Sequence, residues 1–207
     1  MTDPRTFPGM QGHAADGTPN DTGDVRQELQ LCHLVAEMAG AAVGASHPQE
    51  VVRHLLRLVI RLVEGRWGAA GVHSTLINRW AWLTHDAQGG DQTLRAGEAP
   101  GERLHQISDC DGTGCTAPHF VDAREIGPIA GVPEFRRALI CPVSDGRRRM
   151  AQIVVLDPGE QLDTPRQEAL DRLMQLAASA LDRCRETAMQ AKPQIDYRWL
   201  FTQMQAA

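Results

Sequence analysis

Cys110-Asp-Gly-Thr-Gly-Cys115-Thr-Ala-Pro-His119 sets two thiols and an imidazole within ten residues, on a glycine-rich stretch. Thiolates and imidazole nitrogens are the ligands that zinc and iron–sulfur centres take, and a loop of this composition lets them converge. A closed site needs a fourth ligand, for which Cys141 and His105 are candidates. The Cys-x4-Cys-x3-His spacing is looser than the Cys-x2-Cys that fixes zinc tightly, so a metal is only one of three readings. Reversible disulfide formation between Cys110 and Cys115 is the second. Two incidental thiols beside a ligand pocket is the third and the simplest. Other chemistry is missing: the sequence holds no Gly-x-Ser-x-Gly elbow, no P-loop and no His-Glu-x-x-His. Asp145-Gly-Arg-Arg-Arg149 is basic but falls on a hairpin tip, where a solvated turn explains it. Asp111-Gly-Thr-Gly114 is too short to cradle a phosphate. No catalytic residue and no cofactor is assigned from the sequence.

The 207 residues are 42% hydrophobic and 23% charged, enough for one ordinary core with tails. Formal net charge is −5, and Lys192 is the only lysine. A general nucleic-acid or anionic-membrane binder needs a basic face, which this balance disfavours. No run of about 18 apolar residues suggests a membrane span, and the N-terminus lacks the apolar core of a signal peptide. The chain reads as cytoplasmic, with its five scattered cysteines as thiols.

These side chains must be held by elements, and periodicity supplies them. Residues 1–22 are turn chemistry without an apolar pattern and read as a disordered leader. Leu29, Cys32, Leu34, Val35, Met38 and Ala42 predict a helical face, capped by Asp24 and closed near Gly44. Ser46 ahead of Pro48 opens a second helix, whose apolar side is Val51, Val52, Leu55, Leu56, Val59, Ile60 and Val63, with Gly65 as its stop. Trp67–Leu76 and Trp80–His85 then read as strands, and residues 87–118 as an irregular stretch. His119–Ala123 is a short strand and Pro133–Arg137 a helical turn. Ala138–Val143 and Met150–Leu156 form a hairpin across Asp145-Gly146, stopped by Asp157-Pro158-Gly159. Thr164 caps a last long helix with Pro165 in its first turn, facing inward through Leu170, Leu173, Met174, Ala177, Leu181 and Cys184 until Lys192-Pro193.

Helix, helix, strand pair, variable stretch, strand pair and long helix, in that order, resembles a GAF domain over residues 28–188. The residues carrying the likeness are Ala138-Leu-Ile-Cys-Pro-Val143, Ala151-Gln-Ile-Val-Val-Leu156-Asp-Pro and the Leu162-Asp-Thr-Pro165 helix start. Leu162 departs mildly from the aromatic residue usual there. Upstream, Val121-Asp-Ala-Arg124 and Pro133-Glu-Phe135 fit the segment before those strands. Asp196-Tyr197-Arg-Trp-Leu-Phe201 resembles the opening helix of a PAS domain; a C-terminal helix packing on the first two is the plainer reading. The domains are accordingly a leader at 1–22, a GAF-like sensory domain at 24–190, and a helix at 194–207 that is linker or PAS start.

The resemblance implies an α+β fold: an antiparallel sheet with terminal helices on one face and a ligand pocket on the other. Residues 85–135 over strands 71–76 and 138–143 would build that pocket, with Trp82, His85, Cys110, Cys115, His119, Phe135 and Cys141 as lining candidates. It further implies a sensory module of a signal-transduction protein (sensor kinase, cyclic-dinucleotide enzyme or transcription regulator), not an enzyme in itself. Its partners would be a small-molecule ligand and a second copy bound through the terminal helices. A cysteine-based redox, metal or iron–sulfur sensor is the first alternative. GAF relatives that carry a bilin place cysteine beside histidine. Here only Cys32-His33 does so, in the first helix, where core packing is expected. Free methionine sulfoxide reductases also resemble GAF domains, and Cys110, Cys115 and Cys141 invite that comparison, but the family's acidic clamp is missing here.

Overall fold

The computed structural model describes residues 21–74, 79–86, 90–93, 117–129, 132, 134–146, 148–159 and 162–190. Two helices come first, α1 (Asp21–Gly44) and α2 (Pro48–Leu62). Strands β1 (Trp67–Ser74), β2 (Arg79–Asp86) and β3 (Gly90–Thr93) follow. After them stand β4 (His119–Asp122), the single turn α3 (Ala123–Ile126), β5 (Arg137–Ser144), β6 (Arg149–Leu156) and α4 (Thr164–Gln190). The strands form one sheet in the order β3-β2-β1-β6-β5-β4, with every neighbouring pair antiparallel. The α+β architecture expected from the sequence is the one found.

Side chains alternate across a strand, so register assigns each residue to a face. On one face Ala70, Leu83, Leu139, Cys141, Val143, Ile153 and Val155 join a core with the helices. The helices supply Leu34, Met38 and Ala42 of α1, Leu55, Leu56 and Val59 of α2, and Leu170, Leu173, Ala177 and Leu181 of α4. Each buried leucine, valine, isoleucine or methionine among them contributes roughly 1.5–3 kcal/mol from area alone. Gly68 sits where α2 crosses β1: a Cβ there would lie 2.8 Å from Leu56 Cδ1 and 2.9 Å from the Val154 carbonyl oxygen. On the other face a second cluster collects Ala69, Trp80, Trp82, Val121, Ile126, Ile129, Ala138, Ile140, Val154 and Leu156.

Several local expectations need correcting. The α1 helix begins at Asp21, so Asp24 lies within it and is not its cap. Leu29 and Cys32 do not share the buried face of Leu34 and Met38; both are exposed. His47 takes the N-cap position of α2 in place of Ser46, and the Glu50 carboxylate accepts from the N–H groups of Ser46 (3.1 Å) and His47 (3.4 Å). Those bonds hold the Glu50 carboxyl below its ordinary pKa. At the far end of α2 the left-handed residue is Glu64 (φ 54°), not Gly65. The Asp163 carboxylate, one residue before the expected Thr164, accepts from the Arg166 N–H at 2.9 Å and caps α4. The helical turn expected at Pro133–Arg137 lies ten residues earlier, at α3, because Asp122 Oδ1 accepts from the Arg124 N–H at 2.8 Å. Arg137 instead opens β5. Gly90–Thr93 adds a strand inside the stretch read as irregular. Residues 1–20 and 191–207, and with them most of the leader and all of the C-terminal helix, lie outside the described residues.

Candidate functional site

The face away from the helices carries two buried side-chain donors without a hydrogen-bond partner, Trp82 Nε1 and Gln152 Nε2. Cross-strand register puts Gly71 of β1 between Trp82 of β2 and Gln152 of β6. With adjacent strands spaced about 4.8 Å, the two flanking Cα atoms stand roughly 10 Å apart. Gly71 contributes no side chain; a Cβ there would lie 3.0 Å from both tryptophan rings. The rings of Trp80 and Trp82 are 5.9 Å apart at 30°, and His73 meets Trp80 edge-on at 5.5 Å. Phe135 packs against the same cluster.

Trp82 is 1% exposed and its indole Nε1 has no hydrogen-bond partner. Gln152 is 0% exposed, and its amide Nε2 is likewise without a partner. Its Oε1 accepts only a long bond, 3.4 Å, from Arg149 Nη1. Leaving one such donor buried and unpaired costs about 1–3 kcal/mol, which native folds rarely carry without a reason. The two donors flank one glycine across neighbouring strands, with the Trp80 and Trp82 rings on one side of it.

The sequence candidates divide between the two faces. Trp82 lies on the aromatic face, with Phe135 packed beside it. His119 shares that face by register, opposite Ile140, but on the edge strand β4. Four strand spacings, about 19 Å, separate it from β2, so no small molecule touches both His119 and Trp82. Its Nδ1 is 3.1 Å from the Ala117 carbonyl oxygen, which can only accept, so Nδ1 is the donor of that bond. His85 pairs with Gly68 and so falls on the helix side. Cys141 is on that side too, 0% exposed in the core with Val143 and Ile153. Burial and the nearby Asp171 carboxylate push its thiol well above the usual range, so it is no attacking thiolate in this fold. Cys110 and Cys115, and the fourth-ligand candidate His105, lie outside the described residues. Among the described residues no group of three metal-ligating side chains gathers. Cys32, expected to pack in the core, is exposed. Sequence reasoning missed Gln152, although a lone amide inside the apolar run Met150–Leu156 was a visible signal.

No family model matches the sequence, and no curated protein matches it significantly. Solved structures do match in fold. The GAF domain of a putative sensor histidine kinase from Pseudomonas syringae pv. tomato superposes with a TM-score of 0.51 at 14% identity, covering 83% of this chain and 97% of that one. The GAF domain of a phosphoenolpyruvate-protein phosphotransferase from Coxiella burnetii gives 0.53 at 10% identity, covering 78% and 98%. Its counterpart from Acinetobacter gives 0.50 at 14%, covering 86% and 100%. Among the described residues no helix is long and apolar enough to cross a membrane. With its leading helices, six-stranded antiparallel sheet and closing helix in this order, the chain has the fold of a GAF domain.

Proposed function

We propose that this chain is a cytoplasmic small-molecule-sensing regulatory domain. Its ligand binds the sheet face of Trp82, Gly71 and Gln152, and its output passes through α1 and α4 to a downstream signalling partner such as a kinase, a cyclic-dinucleotide enzyme or a transcription regulator. The observation that carries the reading is the pair of buried, unpartnered donors, Trp82 Nε1 and Gln152 Nε2. The ligand class that suits them is planar and carries acceptors at two edges. Isothermal titration of hits from a thermal-shift screen tests this. Trp82→Phe, which removes the indole N–H with part of the ring, and Gln152→Met, which keeps length and removes the amide, should weaken binding by about 5–100-fold apiece, the value of one or two lost hydrogen bonds. Full affinity in both variants would end the proposal.

The output rests on a second pattern. Val25, Leu29, Cys32, Ala36 and Val43 of α1 follow steps of four, three, four and seven residues, which keep them on one side of the helix, and all five are exposed, Val25 and Leu29 each at 59% and Val43 at 85%. The opposite side of the same helix buries Leu34, Met38 and Ala42. A helix apolar on two sides has a second partner to satisfy, and an a/d-like seam is matched by its own copy. In a parallel pairing Cys32 meets Cys32. Mild oxidation should then give a disulfide-linked dimer that Cys32→Ser abolishes; sedimentation as a monomer at high concentration would exclude the seam. The alternative of a redox or metal sensor rests on Cys110 and Cys115, and an ultraviolet–visible spectrum with metal analysis separates it from ligand sensing.

A further inference from the structure

A second site lies at the end of the sheet, between α2 and α4. Where α2 begins and α4 ends, an open cavity of about 620 Å³ is lined by both helices and by the ends of β1, β2 and β6. Ligand pockets run to roughly 300–1,000 Å³, so the volume suits a small organic molecule. The apolar part of its wall is Val72, Met150, Leu181 and Met189. Met189, 54% exposed, stands at the rim of the cavity.

The polar part of the wall has one sign. Arg148, Arg149 and Arg185 line it together with His47 and His73, and among the described residues no Asp or Glu does. Arg148 is fixed from outside the cavity by Asp145 and Asp182, each 3.4 Å away. Arg149 reaches Gln152 Oε1 at 3.4 Å. Arg185 differs: its Nε is buried and has no acceptor. A guanidinium nitrogen withdrawn from water without an acceptor costs more than a neutral donor in the same position, and an anion at that point removes the cost. The N-terminal end of α2, at His47 and Pro48, adds the positive end of a helix dipole to the same wall.

We infer that this cavity binds a small organic anion, an apolar body with a carboxylate or phosphate head, the head meeting Arg185 and Arg149 and the body lying on Val72, Met150 and Leu181. The cavity adjoins the Trp82–Gln152 face through His73, which meets Trp80, and Arg149, which reaches Gln152, but it opens between α2 and α4, and the inference stands whether or not that face binds a ligand. Its place gives it reach: an occupant touches the start of α2, the β5–β6 hairpin and the last turns of α4 together.

The probe is 8-anilinonaphthalene-1-sulfonate, an apolar organic anion whose fluorescence rises on transfer from water, titrated into the whole chain. Saturable binding to one site is expected, and Arg185→Gln should weaken it at least tenfold. Ala188→Trp, at an exposed lining position, should fill the cavity and abolish binding. Arg172→Gln removes an exposed cation about 20 Å back along α4 and should leave binding unchanged. Octanoate or octyl phosphate should displace the probe and 1-octanol should not; whichever anion displaces at lower concentration identifies the head. Circular dichroism and the melting midpoint establish that each variant is folded. Binding that survives both Arg185→Gln and Ala188→Trp in folded protein, or displacement by 1-octanol as good as by octanoate, overturns the inference.

Discussion

Gln152→Met is the substitution whose sign separates a ligand-binding amide from a structural one. The two side chains have nearly the same length and volume, and the position is 0% exposed, so packing is conserved to within about 1 kcal/mol. The change removes a buried Nε2 donor that has no partner, which is worth about 1–3 kcal/mol to the free protein. It also removes the Oε1 bond to Arg149, which at 3.4 Å is long and contributes no more than about 1 kcal/mol. The net expectation is that the variant is as stable as the parent or more so, by up to about 2 kcal/mol. For a domain of this size, 1 kcal/mol moves the melting midpoint by about 2–4 °C. Urea titration with an unchanged slope gives the free-energy difference directly. Gained stability alongside lost ligand affinity is the mark of a residue kept for function. A loss above about 1 kcal/mol would show that the amide is already satisfied in the folded chain, and the case for the site would fail.

Gly68→Ala should destabilise by about 1–3 kcal/mol, because the new methyl meets the Val154 carbonyl oxygen at 2.9 Å, and backbone cannot rotate away as the Leu56 methyl can; thermal unfolding measures it. In a Cys110→Ser, Cys115→Ser background one thiol, Cys32, should react rapidly with Ellman's reagent at pH 8. Cys141 and Cys184, both buried and both with raised thiol pKa from that burial, should react only in urea. Fast reaction of a second thiol in folded protein contradicts the placement of Cys141. Glu50→Gln should lower the melting midpoint at neutral pH. The folded-state pKa of Glu50 is depressed, so its contribution is present above the ordinary value of 4.5 and fades as pH falls below it. The gap between variant and parent should therefore close toward pH 3, and a gap constant with pH would deny the carboxylate its capping role.

Helices α2 and α4 were legible because each buries one apolar face, and the spacing of Val51 to Ile60 and of Leu170 to Cys184 reports that face without ambiguity. The β5–β6 hairpin was legible from Asp145-Gly146, where Gly146 takes φ 84°. The first helix misled because it is apolar on two sides, so Leu29 and Cys32 merged in the reading with Leu34 and Met38. The α3 turn was hidden because a single Asp122 cap creates it, with no period to detect. Site residues fared worst, since a candidate's face depends on strand register. His85 and Cys141 are each a single register step from residues that do face the aromatic side, Thr84 and Pro142. Such a step turns a side chain through the sheet.

The same alternation explains how a ligand on one face reaches helices on the other. Gln152 is on the aromatic face, while Ala151 and Ile153 on either side of it lie in the core with Leu173 and Leu181 of α4. The sheet is one residue thick, so a ligand that draws Gln152 inward presses on the layer that α4 covers. Such coupling must be reciprocal: if filling both protomers' sites tightens the dimer by a given factor, dimerisation tightens binding at each site by the square root of that factor. Leu29→Glu places a charge on the exposed α1 seam without touching the core and should leave a folded monomer. With one ligand site per protomer, the square of the ratio of its ligand dissociation constant to that of the parent dimer should equal the ratio of the parent's dimer dissociation constants without and with ligand. Couplings of about 1–3 kcal/mol, or 5–150-fold, are the usual range and are within reach of calorimetry and sedimentation. Equal ligand affinity in monomer and dimer would mean that α1 carries no signal from this face.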